Sequence, residues 1–247
     1  MKGMRALLLV AALTIAAGLL FGLAPGIDVD AARLFGTTGT GFVMRLDATA
    51  LVMRQVGLWM PIIVAACCLL VLLAPIVNPL YRSRIDARSL AAIVLTFVLG
   101  PGLLVNVVLK DNWHRPRPIQ VVEFGGVNQF KPWWDTSGAC NVNCSFVSGE
   151  VSGAVAMATA AALVPAAYAG SALMAAIAFA VVVAFLRMAF GGHFLSDIVM
   201  AALFTEFIAV ALMTLFHDPR WRYGRPGVLD GDIRALAFRL RMQASRS

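Results

Sequence analysis

The chain has 247 residues, of which 60% are hydrophobic and 13% charged, and its mean hydropathy is +0.83. A water-soluble domain of this length has no core large enough to hide that much apolar surface, so part of its solvent must be lipid. The formal net charge of +7 raises nucleic acid as a partner, but the placement of the basic residues along the chain argues against it.

A bilayer core of roughly 30 Å needs about 20 apolar residues per helix. Six segments meet that requirement approximately: 6–24, 56–77, 89–109, 149–168, 171–190 and 195–216. The expected fold is therefore all-α, a polytopic membrane protein with six transmembrane helices. Lys2 and Arg5 before the first run also suit a secretory signal peptide. That run is longer than a usual signal core and lacks an A-x-A-like cleavage site, so it is read as a retained helix. The third segment contains Gly100-Pro101-Gly102, which should bend it without ending it. The fourth and fifth are rich in Ala and Gly, as close helix packing requires.

Lys and Arg in the short loops set the orientation. With the N-terminus inside, the cytoplasmic side receives Lys2, Arg5, Arg82, Arg84, Arg88, Arg220, Arg222, Arg225, Arg234, Arg239, Arg241 and Arg246, twelve of the twenty basic residues. The basic balance is thus a topology signal, and both termini are expected on the cytoplasmic side of the membrane. In the tail, from about 217 to 247, Ile233, Leu236, Ala237 and Leu240 recur at helical spacing. Two readings stand there, a short helix on the anionic inner leaflet and a solvated basic tail. With no internal repeat or low-complexity linker, residues 1–247 are read as a single membrane-embedded domain.

The polar residues that do not suit lipid fall at four helix ends. Lys110 closes the third helix and opens a stretch that includes His114 and Arg117. Ser148, Gly149 and Glu150 begin the fourth, Arg187 lies near the end of the fifth, and His193 and Asp197 begin the sixth. Alternating topology puts these ends on one side of the membrane, which the charge rule makes the outer, periplasmic side. Cations with several donors suit a phosphoryl group. Ser148 and the free N–H groups around Gly149 add a helix N-terminus, where anions are favoured. His193 and Asp197, four apart, would share a helix face, the carboxylate holding one ring nitrogen and freeing the other for attack. Each residue taken singly has a plainer explanation as a snorkelling cation or a helix cap. Their joint occurrence at membrane depth outweighs those explanations.

This pattern resembles the type-2 phosphatidic acid phosphatase superfamily. Its K-x6-R-P motif matches Lys110, Arg117 and Pro118, and its S-R-x5-H-x3-D motif matches Arg187, His193 and Asp197. Its P-S-G-H motif reads here as Val147-Ser148-Gly149-Glu150. The resemblance implies a phosphatidic acid phosphatase/haloperoxidase-like helical bundle. It also implies a metal-independent phosphatase with no cofactor, in which Lys110, Arg117, Ser148, Gly149 and Arg187 hold phosphate. His193 would attack to form a phosphohistidine, oriented by Asp197. Leu186 and Glu150 depart from the motifs. Glu150 stands where the family has a histidine that protonates the leaving oxygen. A glutamic acid does this only when protonated, whereas neighbouring cations favour its carboxylate. His114 is the other available proton donor. Failing both, a better leaving group is needed, such as a pyrophosphate or an anomeric phosphate.

The outer loop, about 110–148, is long, which points to function. It holds Trp133 and Trp134, natural residues for a headgroup boundary, and Cys140 and Cys144, a pair able to form a disulfide outside the cytoplasm. Cys67 and Cys68 fall mid-helix as apolar packing, and no cysteine has zinc-site spacing. The expected partners are the bilayer and a phosphorylated lipid, with lipid A as the first expectation. Undecaprenyl pyrophosphate hydrolysis, lipid phosphotransfer and non-catalytic lipid binding are the alternatives.

Overall fold

Among residues 2–244, which the computed structural model describes, eight α-helices carry the fold. Arg246 of the basic tail and the side chain of Lys2 lie outside the described residues. The helices are α1 (Lys2–Leu23), α2 (Gly26–Arg33), α3 (Ala48–Val77), α4 (Ala87–Phe97), α5 (Gly149–Ala156), α6 (Ala166–Ala189), α7 (Leu195–Phe216) and α8 (Val228–Ala244). Five spans are long and apolar enough to cross a membrane: α1, α3, α4 with its extension to Leu109, α6 and α7.

The fourth of the six expected segments is shorter than a full span. The segment read as 149–168 forms α5, tightens into a 3-10 stretch over Met157–Leu163, and stops. Pro165 is the reason, because the residue before a proline is driven out of the helical region. Val164 accordingly lies at φ −84°, ψ 142°, and the next helix begins at Ala166 rather than 171. This 15-residue apolar helix sits centrally, packed on α3, α4 and its extension, α6 and α7.

Pro101 has the milder effect expected of it. It lacks an N–H and crowds the carbonyl of the preceding turn, so α4 widens into a π-helix over Val98–Leu109 and continues. Gly100 of this stretch lies against α5 and α7, which are themselves joined where the Ser152 and Thr205 hydroxyls lie 2.6 Å apart.

The faces of α1, α3 and α6 carry exposed Leu, Ile, Val and Phe, the composition of a lipid-facing surface. The densest apolar packing lies at one end, where Phe146 stacks between Trp113 at 4.6 Å and Trp133 at 5.8 Å between centroids. The Trp133 indole N–H donates to the Gly18 carbonyl of α1 at 3.0 Å, joining the long loop to the bundle, while Trp134 remains exposed.

At the opposite end the basic tail is helical over α8. Ala237 is buried, the Arg234 guanidinium donates to the Pro79 carbonyl at 2.9 Å, and Arg241 donates to that of Val77. The tail is thus a helix docked on the end of α3.

Candidate active site

The turn between α6 and α7 presents the histidine. Gly191 lies at φ +63°, the left-handed conformation that commonly ends a helix, and a Cβ there would run into the Phe42 ring. His193 follows, 2% exposed, with Nδ1 2.6 Å from the Ser145 carbonyl oxygen. A carbonyl only accepts, so Nδ1 carries the proton and the Nε2 lone pair is free. Burial first, then Arg187, Arg117 and Lys110, hold the imidazole neutral well below the usual histidine range.

The expected His193–Asp197 bond is corrected. The two are 3.9 Å apart and share no hydrogen bond, because α7 begins only at Leu195 and Phe194 is extended at φ −78°, ψ 166°. The i, i+4 geometry needs both residues on the helix. Asp197 caps α7 instead, accepting from Phe194 N–H at 2.8 Å and from Ser145 Oγ at 2.5 Å. Its link to His193 runs through Ser145, whose hydroxyl donates to the acid and whose carbonyl holds the ring.

Arg115 is the residue that sequence reasoning passed over. Fully buried, it donates to Asp197 Oδ1 at 2.6 Å, Ser196 Oγ at 2.8 Å, Asp28 Oδ2 at 2.7 Å and the Lys131 carbonyl at 2.9 Å. Its guanidinium also lies 4.5 Å from the centroid of the Phe194 ring. Asp28, on the unanticipated helix α2, accepts from Ser196 N–H at 2.7 Å and Oγ at 2.6 Å. Two carboxylates thus share one buried cation, and together they clamp the first turn of α7 to the loop. The available signal was the first arginine of Arg115-Pro116-Arg117-Pro118.

The anion-binding residues are largely brought together. Ser148 caps α5, its Oγ accepting from Val151 N–H at 3.4 Å and its own N–H reaching the Asp197 carbonyl at 3.4 Å. A Cβ at Gly149 would stand 2.9 Å from Asn106 Oδ1 and 3.2 Å from Lys110 Nζ, so both side chains lie close over this residue. The ammonium of Lys110 therefore overlies the α5 N-terminus. Burial, then Arg117 and Arg187, push its pKa down to about 8. Arg187 is buried and pairs with Glu150 Oε1 at 3.4 Å. Arg54 of α3, absent from the sequence reading, donates to the same oxygen at 3.0 Å.

Arg117 is held from the loop side. It donates to the Asn143 carbonyl at 2.7 Å and to Asn143 Oδ1 at 2.9 Å. Asn143 lies inside the short loop that Cys140 and Cys144 close as a disulfide, with Cα atoms 5.7 Å apart. His114 turns to that loop as well, its Nδ1 2.8 Å from the Cys140 carbonyl. Glu150 contacts both Arg187 and Arg54 on this side.

A helical bundle with apolar spans, gathering cations and a helix N-terminus round a buried neutral histidine, defines a membrane-embedded site for a phosphoryl-type anion. The chain belongs to the PAP2 superfamily, whose model matches residues 90–221. A lipid A 4'-phosphatase of Rhizobium leguminosarum is 36% identical over 195 residues, covering 77% of this chain and 82% of that protein. Lipid A 4'-phosphatases of Rhizobium etli and of Francisella tularensis subsp. novicida are 31% and 29% identical, over 77% and 76% of this chain and 74% and 87% of their own lengths. No solved structure matches the chain significantly.

Proposed function

We propose that this chain is a single-domain lipid phosphatase that removes a phosphate from lipid A through a phosphohistidine on His193. The observation that carries the reading is the His193 tautomer, Nδ1–H on the Ser145 carbonyl with Nε2 free, in a buried site surrounded by Lys110, Arg117 and Arg187. The Nε2 lone pair forms the N–P bond, the P–O bond to the lipid breaks, and the leaving oxygen takes a proton. Water then cleaves the N–P bond, releasing phosphate and restoring the imidazole. Lys110, Arg117, Arg187, Ser148 and the Gly149 amide stabilise the charge spread over the phosphoryl oxygens. Asp197 positions the ring through Ser145. The leaving-group proton is assigned to Glu150 in the position it takes once the phosphate has replaced it on Arg54 and Arg187, beside the leaving oxygen.

The relatives named as lipid A 4'-phosphatases support lipid A over a pyrophosphate, although a 4'-phosphate is an ordinary sugar ester that needs that proton. A groove of about 1900 Å³ supports a substrate with several acyl chains. It runs between α1, α5, α6 and α7 from Val151 and Ile198, beside the site, to Pro219 at the other end. Its volume exceeds the range usual for drug-sized ligands. The site is assigned to the periplasmic face, because Arg82, Arg84, Arg88, Arg220, Arg222 and Arg225 collect at the opposite end.

Mass spectrometry of lipid A from cells with and without the gene tests the substrate, the expected product being one phosphate lighter. Purified protein assayed on a lipid panel should release inorganic phosphate, and His193→Ala should insert normally and release none. Turnover retained by His193→Ala would remove it as nucleophile. Phosphate moved to a second lipid without release would make the protein a phosphotransferase.

A further inference from the structure

Three of the four buried side-chain polar atoms without a hydrogen-bond partner among the described residues belong to one cluster: Arg54 Nε, Arg187 Nε and Glu150 Oε2. Buried polar groups are nearly always paired, so three orphans together mark a place built for another polar group. Two of them are guanidinium N–H donors, which points to an anion. The charges agree. Arg54, Arg187, Lys110 and Arg117 face one another across the site, and Arg117, disfavoured as a cation first by burial, also feels Arg54. Asp197 is committed to Arg115, and Asp111 lies at the loop edge accepting from Asn143 N–H at 3.0 Å. That leaves Glu150 as the anion between Arg54 and Arg187. A dianionic phosphate offsets such an excess of positive charge far better than one carboxylate does.

We propose that Arg54 is a fourth phosphate-binding cation and that Glu150 holds its place: the carboxylate bridges Arg54 and Arg187 in the free protein, and an incoming phosphate displaces it and accepts from both Nε–H groups. Arg54 belongs to α3, outside the region matched to the superfamily, so this cation is an addition to the motif set. The displaced carboxylate remains next to the phosphate it has made way for. The substrate side of this inference rests on the phosphatase reading, whereas the anion site itself does not.

The test is inorganic phosphate binding to the detergent-solubilised full chain, read by thermal shift and calorimetry, with lipid turnover measured in parallel. Arg54→Ala should weaken phosphate binding about ten- to hundredfold, the loss expected for charge-assisted hydrogen bonds, and Arg54→Lys should recover part of it. Glu150→Ala should tighten binding severalfold by removing the competitor, and the double variant should bind more weakly than Glu150→Ala alone. Wild-type affinity in both Arg54→Ala and Arg54→Gln overturns the proposal. So does a loss of affinity in Glu150→Ala equal to that in Arg54→Ala, which would make the pair a structural strut. Weakened phosphate binding in Arg54→Ala sustains the anion site even where wild-type protein releases no phosphate from lipid, and only the phosphatase reading then fails.

Discussion

Arg115→Met offers the sharpest test of how the nucleophile is held. The guanidinium is fully buried and bonds two carboxylates, Asp28 at 2.7 Å and Asp197 at 2.6 Å. An apolar side chain of similar length leaves both acids in a dry interior without their cation. Removing one partner of such a buried arrangement costs about 3–5 kcal/mol. For a chain of this size that corresponds to a fall in Tm of roughly 6–20 °C. Function should suffer as well, because Asp197, Ser145 and the α7 cap then lose their anchor and the His193 ring its fixed direction. Thermal unfolding by tryptophan fluorescence in detergent measures the first effect, and kcat on a phosphorylated lipid the second. Adding Asp28→Asn removes one stranded carboxylate and should return part of the Tm. A variant within 2 °C of wild type with unchanged kcat would refute the clamp.

The pH profile carries a signed expectation. On the proposed reading Lys110 binds phosphate as an ammonium, and its pKa is pushed down to about 8, so kcat/KM should fall as pH rises through that value. Lys110→Arg should move that limb upward. His193 acts as the neutral ring, so its titration should set no acid limb within the usual histidine range. Opening the disulfide with Cys140→Ser and Cys144→Ser frees Asn143, which carries Arg117, and should raise KM severalfold while affecting kcat less. Turnover should survive dialysis against a chelator, and strict dependence on an added divalent cation would sink the metal-free chemistry.

Much of the site could be read from the chain alone, for a simple reason. Polar residues are costly at membrane depth, so Lys110, Arg117, Ser148, Arg187 and His193 stood out against apolar runs, and helix alternation placed them together. That gathering survives even though the fourth helix is cut short at Pro165, since it depends on where the helices begin and end near the site.

Local spacing misled where a helix boundary intervened. His193 and Asp197 are four apart, but only Asp197 is on the helix, so the acid reaches the ring through Ser145. Arg54, Asp28 and Arg115 were beyond sequence reasoning for a different reason. Their oppositely charged partners lie between 82 and 96 residues away, and a single charged residue near a membrane surface looks like any snorkelling side chain until its contacts are seen. Composition and periodicity thus marked the membrane, most of the helices and the polar residues at their ends, because these follow from the energy of burying each residue in lipid. Only the tertiary structure decided which carboxylate serves which cation, because that choice is made by distances of a few ångströms between chain segments that share no local pattern.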